Sequence, residues 1–119
     1  MKLSISIPPS ELTKAKADIA RFQRIIQASI AQILYRGGDR IDSKTKRRCP
    51  VDTGRLRSSY RFQVDRSKLS LVNGTNVQYA LPVEVGTVGQ RAQPHLVPSA
   101  NAEYPKILEA IRKEVSHAT

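Results

Sequence analysis

Aromatic residues and cysteine are scarce in this chain. Of its 119 residues, 5% are aromatic and none is Trp, so the core has to be built mainly from Ile, Leu, Val and Ala. Such a core is thin, and burial against a partner subunit would stabilise it. Cys49 is the single cysteine, which excludes an internal disulfide and fits a reducing compartment. The two histidines, His95 and His117, lie far apart, and the sequence predicts neither a zinc site nor a cofactor.

Long apolar runs are also absent. No segment approaches the roughly 20 apolar residues that span a bilayer, so we expect no membrane partner. A length of 119 residues with 39% hydrophobic residues predicts one domain, residues 1–119. No repeat or linker divides it.

Acidic residues are outnumbered two to one. Twenty Lys and Arg against ten Asp and Glu give a net charge of +10. The excess is concentrated in residues 36–68, the basic segment, where eleven basic and four acidic residues leave a charge of +7. This segment predicts attraction to nucleic acid or to an acidic protein surface, and the sequence leaves both open.

The first third of the chain predicts a strand and a long helix. Residues 3–7 alternate apolar and polar side chains, as a short strand does, until Pro8-Pro9 ends them. We expect Ser10 to cap the next helix. The apolar side chains of that helix recur every three or four residues: Leu12, Ala15, Ile19, Phe22, Ile26, Ile30 and Ile33.

The end of this helix is marked by glycine and proline. Gly37-Gly38 is expected to interrupt it, and residues 39–48 can resume it. Pro50 then ends it at or before Cys49, because a residue that precedes proline avoids the helical conformation.

The middle of the chain has the period of strands. Tyr60, Phe62 and Val64 alternate with polar residues, Ser67-Lys68 can turn the chain, and residues 69–72 predict a second strand. Asn73-Gly74 is a further turn signal.

A third strand is suggested by apolar residues at odd positions, namely Val77, Tyr79, Val83 and Val85. Pro82 argues instead for an edge strand or a helical turn. Residues 86–94 have the glycine content and polarity of a loop.

The last segment predicts a second amphipathic helix, which Pro105 either starts or kinks. Its apolar positions are Tyr104, Ile107, Leu108, Ile111 and Val115. The fold class is therefore α+β, with a long N-terminal amphipathic helix and a C-terminal helix packed on a small antiparallel sheet.

Residues 52–54 spell Asp-Thr-Gly, the catalytic tripeptide of aspartic proteases. That chemistry needs two carboxylates sharing a proton in an apolar cleft. Here Arg55 and Arg57 follow the tripeptide and would keep both carboxylates ionised, and the long helix does not fit an almost all-β enzyme. We therefore expect no catalytic residue.

A structural role, in which these residues shape the backbone, explains the Asp-Thr-Gly sequence better. Pro50 stops the helix, Asp52 or Thr53 can accept hydrogen bonds from free amides downstream, and Gly54 permits a positive φ. Leu56 can then enter the core. These five residues are the predicted structural hinge between helix and sheet.

Three segments together resemble one protein family. They are P-V-D-T-G-R-L-R-S-S (50–59), Y-A-L-P-V-E-V-G-T (79–87) and A-Q-P-H-L-V-P-S-A (92–100). In this order and spacing they are similar to the small tail components of tailed bacteriophages, the head–tail joining or tail-completion neck proteins of long-tailed phages. The resemblance covers the chain from about residue 30 onward. His95 and Val97 depart from it, since the family usually has Phe at the first position and often a basic residue at the second.

The resemblance implies a non-enzymatic virion protein that forms a ring, often a hexamer, at the phage neck. Its implied partners are connector or stopper proteins and the tail tube, with genomic DNA passing through the ring. It implies the host cytoplasm as the place of assembly. The candidate interface residues are Arg55, Arg57, Tyr79, Glu84, Gly86, Thr87, Gln93 and Pro94. Glu84 could pair with an arginine across an interface or could be an exposed strand carboxylate.

The competing interpretation is a basic nucleic-acid-binding module. A pI near 10.3 favours it, but the sequence contains no helix-turn-helix pattern, zinc spacing or RNA-binding aromatic motif.

Overall fold

The helices and strands of the chain follow one another in the order β1 (Lys2–Ser6), α1 (Pro9–Arg48), α2 (Arg55–Ser59), β2 (Arg61–Asp65), β3 (Ser70–Gly74), α3 (Ala80–Val85) and α4 (Leu96–Ala118). The computed structural model describes residues 1–6, 8–50 and 54–118, without the side chains of residues 12, 15, 17–23 and 118. Helices α1 and α4 pack together, and α1 also covers the sheet. The predicted α+β class is confirmed.

The sheet has three antiparallel strands in the order β1-β3-β2. Residues opposite one another form rows across the three strands. One row contains Leu3, Asn73 and Phe62, and another contains Ile5, Leu71 and Val64. These rows face α1, because Leu71 is fully buried and Phe62 meets Tyr35 of α1 edge to face, with ring centroids 5.1 Å apart. The alternate rows lie on the opposite face, which no described element covers.

The turn between β2 and β3 is built on Asp65. Its Oδ1 accepts hydrogen bonds from the Ser67 backbone at 3.0 Å, the Ser67 hydroxyl at 2.7 Å and the Lys68 backbone at 3.1 Å. The Ser67 hydroxyl, followed by the Lys68 amide, holds the pKa of Asp65 below its usual value. The predicted turn and the two strands beside it are confirmed. Asn73-Gly74, however, ends β3, so the turn predicted there is wrong.

Helix α1 begins and ends at prolines. It starts at Pro9 with Pro8 in the cap position, so the predicted cap at Ser10 is wrong. Proline suits the first helical position, which Pro9 occupies, because its fixed φ is helical and its missing N–H is not needed there. Cys49 ends the helix with extended backbone at φ −67° and ψ 135°, as expected before Pro50.

The later apolar positions predicted for α1 face the core. Ile26 and Ile30 are buried and Ile33 is partly buried. The expected contacts of Leu12, Ala15, Ile19 and Phe22 lie outside the described side chains.

Gly37 and Gly38 do not interrupt α1, and that prediction is wrong. A Cβ at Gly37 would overlap the side chain of Ile107 on α4, and one at Gly38 would lie 2.6 Å from both Leu71 and Phe62 on the sheet. The two glycines therefore let α1 approach α4 on one side and the sheet on the other. The backbone stays helical because this close packing outweighs the roughly 1 kcal/mol preference for alanine.

The segment predicted as a third strand forms α3 instead. Pro82 lies in its first turn, where helix amides have no partner within the helix, so proline is tolerated. The alternative of a helical turn is thus the correct one. Helix α4 starts at Leu96, so Pro105 lies inside it and does not start it.

A buried carboxylate joins α1 to α4. Glu103 is 1% exposed, and its oxygens accept from Arg40 Nε at 2.8 Å and from Lys44 Nζ at 2.6 Å. Burial alone would raise the pKa of Glu103, but the hydrogen bonds from Lys44 and Arg40 outweigh it and hold the pKa below the ordinary 4.5. The contribution of this cluster to stability is therefore present above pH 4.5 and is lost as the pH falls through the lowered pKa.

We expect Glu103→Gln to destabilise the fold at neutral pH by about 2 kcal/mol, the usual value of hydrogen bonds to charged groups. The variant should also lose less stability than the native chain between neutral and acidic pH, since its side chain no longer titrates. Urea unfolding across that range measures both effects. Equal pH dependence in the two proteins would contradict the assignment.

Gly37→Ala tests the close approach of α1 to α4. The higher helix propensity of alanine would stabilise by up to about 1 kcal/mol, but overlap with Ile107 should reverse the sign, because overpacking costs about 1–3 kcal/mol. Gly89→Ala is the control, since a Cβ there meets nothing within 4 Å. Thermal unfolding should show a loss for the first variant and little change for the second.

Candidate functional site

Two of the three family-like segments, residues 79–87 and 92–100, meet at the start of α4. Glu84 of α3 points its carboxylate at the first backbone amides of that helix and is 4% exposed. Oε1 accepts from the amides of His95 at 3.1 Å and Leu96 at 3.0 Å, and Oε2 accepts from Val97 at 3.2 Å. Glu84 therefore caps α4 from a separate helix and also places a negative charge at the positive end of the helix dipole.

His95 extends this network to α2 and β2 through its ring. Nδ1 lies 2.9 Å from the carbonyl of Gln93 and 3.2 Å from Glu84 Oε1, which are both acceptors, so Nδ1 carries a proton. In the neutral ring, Nε2 then accepts from the Tyr60 hydroxyl at 2.5 Å. Burial is the main cause that raises the pKa of Tyr60 far above its ordinary value, and the charge of Glu84 adds to it, so the phenol remains a donor.

The cluster is closed to solvent. Cys49, Tyr60, Glu84 and His95 are each between 0% and 4% exposed. Burial raises the pKa of the Cys49 thiol, against a lowering by Arg57, so the sulfur remains a protonated thiol. A buried thiol of this kind is inert, and the imidazole is already bound on both nitrogens. The arrangement therefore fixes α3 and the following loop against α4.

The loop after α3 forms a tight hairpin. The backbones of Thr87 and Gln90 exchange hydrogen bonds of 2.9 and 3.2 Å, and the Gln93 amide donates to Val83 at 2.8 Å. Gly86 has φ +82°, and a Cβ there would lie 2.8 Å from the Ala92 nitrogen, so glycine is required on both counts. This places Val88 at the tip, fully exposed.

Exposed apolar side chains occur on α3, on the hairpin and on the first turn of α4. Leu81 is 52% exposed, Val85 63%, Val88 111% and Val97 43%. We call these four residues the apolar surface. Leu81 and Val85 are four residues apart and share the outer face of α3. Sequence reasoning named none of the four as interface residues. For Leu81 and Val85 the reason is that their segment was assigned to a strand, and their helical spacing was the signal that could have found them.

The predicted hinge is described in part. Gly54 has φ +73°, as expected, and Leu56 is buried at 5% exposure. Pro50 is half-buried. Asp52 and Thr53 lie outside the described residues, so their role as hydrogen-bond acceptors stays a prediction.

The candidate interface residues separate into groups. Arg55 and Tyr79 line one surface hollow, while Arg57 is half-buried and donates from Nη2 to the Cys49 carbonyl at 3.3 Å. Gly86, Thr87, Gln93 and Pro94 belong to the hairpin and its return. Glu84 is neither on a strand nor exposed, because its carboxylate is bound inside the chain, which corrects that expectation.

Comparison with protein families identifies the chain. Residues 12–86, more than half of the sequence, match the family model described as "Bacteriophage HK97-gp10, putative tail-component". The chain belongs to this family. The predicted resemblance is thereby confirmed, and the protein is a bacteriophage tail component. The match includes the first two of the three quoted segments up to Gly86. Comparisons with curated proteins and with solved structures found no significant match.

Two further observations concern other kinds of site in this tail component. Within the described part of the chain, no three His, Cys, Asp or Glu side chains are grouped so that they could hold a metal ion. No described helix has the length and apolar character to cross a membrane.

A double-mutant cycle tests the buried network. His95→Phe should cost about 1–3 kcal/mol, because it leaves the Tyr60 hydroxyl buried without an acceptor. Tyr60→Phe combined with His95→Phe should cost less than the sum of the single changes, since no polar group is then orphaned. Urea unfolding of the four proteins measures the coupling. Strict additivity would contradict the hydrogen bond.

Proposed function

We propose that this tail component is a non-enzymatic head–tail joining, tail-completion or minor tail protein that assembles as a ring at the phage neck. Family membership supports the virion role, and the apolar surface supports the assembly. Its partners are then other neck and tail proteins, the connector or stopper and the tail tube, with genomic DNA passing through the ring. The whole chain, residues 1–119, acts as one domain in this proposal.

The observation that carries the proposal is the exposure of four aliphatic side chains on a firmly held base. Single exposed apolar residues are ordinary, but a group on adjoining segments is typical of protein interaction sites. Covering it removes apolar area from water at about 25 cal/mol per Å². Because the Glu84 cap and the hairpin bonds already order the surface, little conformational entropy is lost on contact.

A ring imposes a further condition on this surface. Head-to-tail contacts in a ring join two different surfaces of neighbouring subunits. The apolar surface would be one side of that contact, and a different face of the next subunit would be the other. Variants of the apolar surface therefore test whether the subunits form a ring.

The basic segment gives less support to the nucleic-acid-binding alternative than its charge suggests. Arg40 and Lys44 are both bound to Glu103, which lies outside the segment, and this carboxylate offsets one unit of the +7 charge. Lys46 lies 2.9 Å from Asp42, a pair that the +7 already includes. The remaining charge is compatible with DNA passing nearby.

Complementation of a deletion phage tests the proposal. We expect particles made without the gene to be filled heads and separate tails, or tails of abnormal length, seen by electron microscopy. Leu81→Asp combined with Val85→Asp should fail to restore joined particles, because two charges would be buried at the contact. Thermal unfolding of the variant should stay near native, since both side chains face solvent.

Ile25→Asp is the matched control, because Ile25 is 75% exposed on α1, outside the apolar surface. It should restore joined particles. Normal virions from the deletion phage, or full complementation by the double variant, would refute the proposed role of the surface.

A further inference from the structure

We propose that a groove beside the sheet binds an extended acidic segment of a partner protein. Two adjoining hollows form this groove and share Ser59 and Asn76. The first lies on the sheet face that no described element covers, and Lys2, Arg61 and Gln63 line it. The second lies between α2 and the chain before α3, and Arg55, Gln78 and Tyr79 line it.

The floor of the groove is tied together by hydroxyl groups. Ser59 Oγ donates to the Leu56 carbonyl at 2.6 Å and lies 2.5 Å from Thr75 Oγ1. Thr75 Oγ1 accepts from the Val77 amide at 3.1 Å. These bonds fix α2 against the segment that leads to α3, so the groove exists before any partner arrives. A preformed groove avoids the entropy loss of ordering its walls on binding.

The charge of the groove selects an acidic occupant. Lys2 and Arg61 supply cationic side chains to it, and none of the described residues that line it is acidic. The nearest carboxylates along the chain in the described part are committed elsewhere, Asp65 to its turn and Glu84 to the α4 cap. An acidic segment would therefore meet complementary charge, whereas a basic one would be repelled.

Arg61 is held in place without being neutralised. Its Nη1 donates to the carbonyls of Ser58 at 2.6 Å and Tyr60 at 2.8 Å. Neutral carbonyls orient the guanidinium but leave its charge intact, and the planar group has further N–H donors for a carboxylate. The cation is therefore positioned in advance at the start of β2.

The other polar groups suit a peptide backbone. Exposed amide side chains of Gln63, Asn76 and Gln78 each carry both a donor and an acceptor, as an extended peptide requires. A single-stranded nucleic acid would instead need a series of stacking aromatics. Tyr79 is 40% exposed, whereas Phe62, which also lines the first hollow, has its ring against Tyr35 of α1, so the peptide is the better fit.

Fluorescence anisotropy of the full chain with labelled peptides tests the groove. The probe is a peptide of alternating Glu and Ser, with a Gln-Ser peptide and oligo-dT in parallel. We expect binding of the Glu-Ser peptide that weakens with added salt. Backbone NMR shifts on titration should concentrate at Ser59, Arg61, Asn76 and Gln78. Equal binding of the Gln-Ser peptide, tighter binding of oligo-dT, or shifts elsewhere would overturn the proposal.

Two variants make the groove less positive without touching its floor. Lys2→Glu and Gln78→Glu should each weaken binding of the Glu-Ser peptide by about threefold, the size expected for exposed charge pairs. Lys113→Glu on α4 and Gln32→Glu on α1 are exposed, matched controls outside the groove and should leave the affinity almost unchanged. Equal losses in variants and controls would mean that only net charge matters, which would also overturn the proposal.

Discussion

The position of the apolar surface depends on one carboxylate, that of Glu84, which belongs to α3 but caps α4. Glu84 comes from α3, and its oxygens bind the amides of His95, Leu96 and Val97 at the start of α4. Helix ends leave amide groups without partners, and burying them unpaired would be costly. The same bonds that satisfy α4 therefore fix α3, and with it the apolar residues on its outer face. His95 and Tyr60 carry the connection on to β2.

The long-range packing depends on the absence of side chains as much as on their presence. Gly37 and Gly38 stand where α1 passes closest to Ile107 of α4 and to Leu71 of the sheet. Next to this contact, Glu103 joins the two helices through Arg40 and Lys44. Glu103 is 1% exposed there, so the same stretch of the helix pair combines close packing with a buried ion-pair cluster.

The sequence was sufficient for the class of fold because local periodicity determines it. The helical stripe at Ile26 and Ile30 and the strand alternation around Phe62 both appear as predicted. It failed where tertiary contacts override local preference. Gly37-Gly38 looks like a break until Ile107 is known to lie against it, and the period of two at Val83 and Val85 gives way to a helix that starts with Pro82 in its first turn.

The site was harder to predict than the fold for a related reason. Glu84 was named as a candidate interface residue, but a carboxylate that binds amides eleven to thirteen residues later leaves no local pattern that predicts a cap. The exposed faces of Leu81 and Val85 follow from helical geometry alone, yet only once the segment is known to be a helix. Family membership identified the protein as a phage tail component. The apolar surface and the groove could be located only from the positions of the side chains.

Tyr79 and Leu81 bring the groove and the apolar surface close together along the chain. Tyr79 lines the groove just before α3, and Leu81 begins the outer face of that helix. Coupling between two binding surfaces requires an element with two arrangements that both occupants bias. Helix α3 is held in one arrangement by the Glu84 cap and by Gln93, whose amide binds Val83 at 2.8 Å. The two surfaces should therefore act independently, and the effects of changing both should add.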